Sequence, residues 1–203
     1  EYRNPFKELN PERSLSYEGG IQYKKEKVNL RAVYFIRDIN DNIEFYSAGP
    51  PDYESYYINA SKQKVKGIEL EATVDFGKIQ LNANYTNMDG YIETKENNKD
   101  TSYFNLYRRP GQAINLNVNL EICKGWIINT GIQSIGKRAE AVFASAPVEM
   151  PAYYTWNLHS AYTVTKNIKL YADLKNITDE KYFEVRGYNS RRFNFMAGVM
   201  LKF

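Results

Sequence analysis

Strict two-residue alternation constrains this 203-residue chain more than any other feature. Over 113–122, Ile114, Leu116, Val118, Leu120 and Ile122 are apolar, and Asn115, Asn117, Asn119 and Glu121 between them are polar. A helix would scatter those asparagines around its circumference, whereas a strand gathers them on one face. The pattern returns from Ile68 to Phe76, from Ile79 to Thr86 and from Ile168 to Lys175. It predicts nine strands, at about 13–24, 27–39, 55–75, 78–91, 105–122, 126–139, 152–164, 168–178 and 191–203. Four connections are tight: Lys24–Lys27, Asp75–Lys78, Cys123–Gly125 and Thr165–Asn167. The other four, roughly 40–54, 92–104, 140–151 and 179–190, are long.

Short and long connections alternate, as in outer-membrane barrels with tight periplasmic turns and long outer loops. The low mean hydropathy of -0.60 agrees with this, because a barrel strand turns only alternate residues to lipid. Aromatic side chains fall in two groups on the apolar face. Tyr23, Phe76 and Trp126 stand beside tight turns, and Tyr85, Tyr154 and Trp156 near the long loops. Two belts flanking an aliphatic band match the interfacial preference of amphipathic rings. A soluble, lipocalin-like barrel shows the same alternation with its faces exchanged. Loop asymmetry, aromatic banding and the Asn, Glu, Lys and Gln content of the polar face favour lipid outside.

The last strand, RRFNFMAGVMLKF, sets Phe193, Phe195, Ala197, Val199, Leu201 and Phe203 on one face. Gly198, Leu201 and Phe203 resemble the signal by which the outer-membrane assembly machinery recognises its substrates, although Met196 stands where a polar residue is usual. Nine antiparallel strands put the two chain ends on opposite sides of a membrane, while bacterial single-chain barrels have even strand numbers. An open sheet would expose unpaired backbone to lipid. Further strands are therefore expected before residue 1.

Several stretches resemble TonB-dependent receptors. They are Asn4-Pro5 with Pro11-Glu12-Arg13-Ser14 and Ser16-Tyr17-Glu18, Lys66-Gly67-Ile68-Glu69-Leu70-Glu71-Ala72, and Arg108-Arg109-Pro110. Asn176-Ile177-Thr178-Asp179 with Tyr182, Gly187-Tyr188 and Phe203 resembles the ending of that family, and is similar to cobalamin receptors. The family's usual Gly-Arg after that tyrosine is Arg191-Arg192 here. The resemblance implies a 22-stranded barrel of which residues 1–203 are the C-terminal portion, with the plug and earlier strands outside this chain. It implies a bacterial outer-membrane receptor that takes up a scarce bulky nutrient (cobalamin, a ferric siderophore or haem). The implied partners are membrane lipid, the rest of the same receptor, TonB through the N-terminal part, and a surface lipoprotein. A passive pore or structural barrel is the alternative.

No catalytic constellation and no cofactor are expected. His159 is the sole histidine and falls on the polar face, and Cys123 has no second cysteine or histidine with which to build a zinc set. The net charge of +3 gives no ground for nucleic-acid binding. Asp38, Asn40, Asp41, Asn42 and Glu44 offer oxygen ligands at spacings that suit calcium. They lack the EF-hand pattern, and a solvated acidic loop is the commoner reading. Candidate ligand-binding residues lie in the long loops: Tyr46, Tyr53, Tyr56, Tyr57, Tyr91, Tyr103, Arg186 and Tyr188. Rigid aromatics with polar tips suit a bulky amphipathic ligand, and girdle or loop packing is the competing role.

Overall fold

A computed structural model describes residues 8–47, 55–59, 62–96, 99–103, 107–142 and 145–203. Every regular element among them is a strand. In chain order these are β1 (Arg13–Lys25), β2 (Val28–Asn40), β3 (Ile43–Ser47), β4 (Ser55–Asn59), β5 (Lys62–Asp75), β6 (Ile79–Glu96) and β7 (Lys99–Tyr103). There follow β8 (Gln112–Cys123), β9 (Trp126–Ile135), β10 (Arg138–Val142), β11 (Ser145–Met150), β12 (Tyr153–Thr165), β13 (Ile168–Lys175) and β14 (Asn194–Leu201).

Nine of them form one antiparallel meander in the order β1-β2-β5-β6-β8-β9-β12-β13-β14, the nine that alternation predicts. Tight turns join β1 to β2, β5 to β6, β8 to β9 and β12 to β13. Gly125 turns with φ +87, a conformation in which a β-carbon would clash.

Three of the long connections carry short hairpins of their own. β3 pairs with β4, β6 runs on to pair with β7, and β10 pairs with β11. The expected strand at 55–75 is therefore β4 and β5, that at 126–139 divides into β9 and β10, and that at 105–122 begins only at Gln112. Pro110 explains the late start of β8, since proline cannot donate to a ladder.

The meander is a single layer, so the exposure of its two faces reports its curvature. On the apolar face of the interior strands Leu30, Leu70 and Ile114 are 43%, 40% and 45% exposed. The most buried wall residues, Val33, Val65, Thr155 and Ala161, all lie on the other face. Side chains that converge lie inside a curve, so the polar face is concave and the apolar face convex. Gly67 shows the crowding, because a Cβ there would lie 2.5 Å from both the Phe35 ring and the Asn87 carbonyl oxygen. The inner wall carries hydrogen-bonded networks, among them Gln80–Asn119–Asn129, Thr73–Asn82 and the ion pair Arg31–Glu71 at 3.0 Å.

Apolar outside and polar inside inverts the arrangement of a soluble barrel and fits lipid. The belts also appear in the register. Tyr85, Ile114, Ser134 and Tyr154 stand in one row across four strands. Trp126 meets Tyr162 edge-on at 6.3 Å beside the opposite turns. From Tyr154 to Tyr162, at about 3.3 Å per residue and a tilt near 40°, β12 climbs roughly 20 Å, close to the apolar band of such barrels. Both indoles on this face find internal acceptors, Trp126 donating to Ser160 Oγ at 3.0 Å and Trp156 to Thr130 Oγ1 at 2.7 Å. The acyl chains of a bilayer could supply no partner for an N–H.

Candidate functional site

The long-loop end of the wall carries an irregular segment held by several side-chain anchors, residues 176–193 between β13 and β14. Asn176 is 3% exposed and sits at φ +51, where asparagine is tolerated better than most residues. Its Nδ2 donates to the carbonyls of Glu180 (3.0 Å) and Arg191 (3.2 Å), and its Oδ1 accepts from the Glu180 amide (2.9 Å). Its own amide donates to Asn157 Oδ1 at 2.9 Å, tying this junction to β12. One side chain thus closes both ends of the loop onto the wall.

Asp179 repeats the device at the surface. It accepts from Arg192 Nε at 2.7 Å and from the Phe193 amide at 2.9 Å. These donors, the Arg192 guanidinium first, hold its carboxyl below the ordinary range, and Arg192 is raised in return.

Arg138, at the start of β10 and 5% exposed, grips the middle of the same loop. Its guanidinium donates to the carbonyls of Phe183, Glu184 and Pro151 and lies 5.2 Å from the centre of the Tyr153 ring. Tyr153 in turn stacks on Tyr182 at 4.2 Å. A planar fork with five donors suits several carbonyls at once. Next to it, the Arg108 guanidinium binds Glu140 Oε1, its Nε at 2.8 Å and second contact at 2.7 Å, and is raised by that hydrogen bond. Glu140 is 4% exposed, and its Oε2 has no hydrogen-bond partner among the described residues.

Beside these anchors lies an open depression of about 520 Å³, lined by Tyr182, Glu184, Tyr188 and Arg191 among others. It combines aromatic faces, a cation and an anion, a mixture suited to orienting an amphipathic ligand.

The other candidate residues scatter. Tyr188 lines the depression, and Arg186 is exposed beside it. Tyr56 and Tyr57 belong to the β3–β4 hairpin, where the Tyr46 backbone pairs with Tyr56. That hairpin rises between β2 and β5, near the opposite end of the strand order from β13 and β14. Tyr91 stands on the convex face opposite Lys64, and the Tyr103 backbone pairs with Ile92. Tyr53 lies outside the described residues.

Asp38 and Asn40 are in β2, level with Lys64 and Lys62, and Asp41 turns the chain at φ +55. No cluster of three or more His, Cys, Asp or Glu able to hold a metal occurs among the described residues. Glu44 lies in β3, paired through its backbone with Ile58. His159 faces the lumen 3.0 Å from Asp173, while the adjacent Ser160 hydroxyl is on the lipid face. Gly198 and Leu201 fall on opposite faces of β14, and Phe203 is fully exposed just beyond it. The anchors Arg138 and Glu140 carried no signal in the sequence, because their partners are far away in the chain.

A family model for the TonB-dependent receptor-like β-barrel matches residues 1–177. The chain belongs to the TonB-dependent receptor family. It is a segment of a bacterial outer-membrane barrel, open rather than closed here. The siderophore receptor PirA from Acinetobacter baumannii superposes with a TM-score of 0.74 at 20% identity, over 96% of this chain and 32% of that one. The pyoverdine receptor FpvA from Pseudomonas aeruginosa PAO1 does so with 0.76 at 19%, over 96% and 30%. The copper transporter OprC does so with 0.75 at 19%, over 98% and 32%. This receptor segment therefore spans about a third of the length of these structures. Homologous receptors of the family are transporters rather than enzymes.

Proposed function

We propose that this chain forms part of the wall and the outer loops of a receptor that imports a scarce bulky nutrient. The nutrient class is a ferric siderophore, cobalamin, haem or another chelated metal, and this chain acts in its capture rather than as an enzyme. Residues 1–203 would be the C-terminal portion of the barrel. The plug, the earlier strands and the contact with TonB, together with any surface lipoprotein contact, would come from outside this chain. The observation that carries the proposal is the depression at Tyr182, Tyr188 and Arg191, held above a polar concave wall by three independent anchors. Preorganised loops give up less entropy on binding, and the tight turns at the other end are too short to build a concave site. PirA, named for a siderophore, FpvA, named for pyoverdine, and OprC, named for copper, support the ligand class.

The test is a binding panel on the whole receptor with ferric siderophores, haem, cobalamin and copper. Arg186→Ala combined with Tyr188→Ala should weaken binding of the true ligand about tenfold or more, in the range of aromatic and arginine anchors. Assembly into the membrane should be unchanged. Normal binding and uptake by the double variant would place the binding determinants elsewhere in the receptor.

A further inference from the structure

On its convex face β5 carries Lys62, Lys64 and Lys66 directly above Ile68, Leu70, Ala72 and Val74. All three lysines are exposed. The register sets Lys66 level with Tyr17 and Ile36, and Lys64 level with Tyr91. From Lys66 to Phe76, at about 3.3 Å per residue and a tilt near 40°, the strand descends roughly 25 Å, the height of the apolar band. The three ammonium groups therefore stand at headgroup level in the outward leaflet.

Lysines at an interface can simply snorkel to water. Two observations set these apart. Asp38, Asp89 and Glu93 lie opposite them on β2 and β6, yet no ion pair joins any of these groups among the described residues. Below them the convex face is hollowed into a trough of about 520 Å³, floored by Ala32, Ala72 and Ala83 and walled by Leu30, Leu70 and Tyr85. Ala72 pairs directly with Ala83, and Ala32 stands beside Leu70, so small side chains meet across three strands.

A row of cations above an apolar trough on one strand matches the two ends of a single anionic amphiphile. A soluble anion would use the lysines without the trough, and an uncharged lipid the trough without the lysines. We propose that this face of β2, β5 and β6 binds a phosphate-bearing lipid of the outward leaflet, with its phosphate at Lys62, Lys64 and Lys66 and an acyl chain along Ala72 and Ala83. The neighbouring carboxylates leave the patch near neutral at a distance, so the attraction acts at contact range. The site rests on the membrane orientation of the wall and is independent of the transported nutrient.

The whole receptor is purified in detergent and titrated with lipid A, dephosphorylated lipid A and phosphatidylcholine, with bound lipid counted by native mass spectrometry. Lipid A should be retained about tenfold better than its dephosphorylated form, the scale expected of a few lysines near an anionic headgroup. K62Q/K64Q/K66Q should abolish that preference. A72L/A83L, which fills the trough, should lower retention of lipid A while keeping the preference for phosphate. Equal retention of the phosphorylated and dephosphorylated forms by the unaltered receptor would overturn the proposal, and that comparison decides even if a variant fails to assemble. Persistence of the preference in the lysine variant, or full retention in the filled one, would also overturn it.

Discussion

Replacing Asn176 tests whether a single buried amide holds the 176–193 loop. Alanine removes the bonds to Glu180 O, Arg191 O and Glu180 N. At about 1 kcal/mol net each, their loss costs about 3 kcal/mol. Alanine must also hold φ +51, which adds about 1 kcal/mol. Glycine loses the same bonds but adopts that conformation freely. Asn176→Ala should therefore open the loop by about 4 kcal/mol and Asn176→Gly by about 3. Hydrogen exchange on the assembled receptor reads this directly. The Glu180 amide should exchange on the order of a hundredfold faster in the glycine variant, and several-fold faster again in the alanine variant. Exchange in β8 and β12 should not change, because the wall ladders do not involve this side chain. Unaltered protection of Glu180 in either variant, or better protection with alanine than with glycine, would refute the assignment.

Leu116→Arg on the convex face should destabilise the barrel by about 2–4 kcal/mol in bilayer unfolding titrations, and Asn115→Arg on the concave face by much less. Asp179 is held below the usual carboxylate range by Arg192, so the stability it contributes is present above its unfolded pKa and is lost as pH falls through the depressed value. The protection of the Phe193 amide, relative to its intrinsic exchange rate at each pH, should fall below about pH 4, and Asp179→Asn should flatten that dependence. Phe203→Ala should lower the amount of receptor assembled into the membrane, measured by heat-modifiable migration, without changing the ligand affinity of the remainder.

The wall was legible because its cause is local. In β8 every second residue is apolar from Ile114 to Ile122, and the pleat alone turns that pattern into two faces. The tight turns were legible for the same reason. The hairpins β3–β4 and β10–β11 were not, since their pairing continues a wall whose alternation fades above the membrane, where both faces meet water. The loop site was half legible. Asn176 and Asp179 stood out only through a family resemblance, and their work as staples depends on Glu180, Arg191 and Arg192 folding back. Arg138 was silent, because its acceptors are the carbonyls of residues 13 to 46 positions away. Tyr91 shows the opposite failure, for its neighbourhood in the chain suggested a binding loop and its strand parity turns it outward.

The anchors of the 176–193 loop share one property: most of them hold main-chain atoms. Asn176 bonds the carbonyls of Glu180 and Arg191, and Arg138 bonds those of Phe183 and Glu184. A peptide carbonyl is the same whatever side chain it carries. Apart from Tyr182, which stacks on Tyr153, the side chains between these grips can be exchanged without disturbing the clamps, so the segment behaves as a cassette. If this loop captures ligand as proposed, a different recognition surface can be grafted between Glu180 and Arg191 on an unchanged barrel, and variation in this stretch would alter what is captured before it alters what folds.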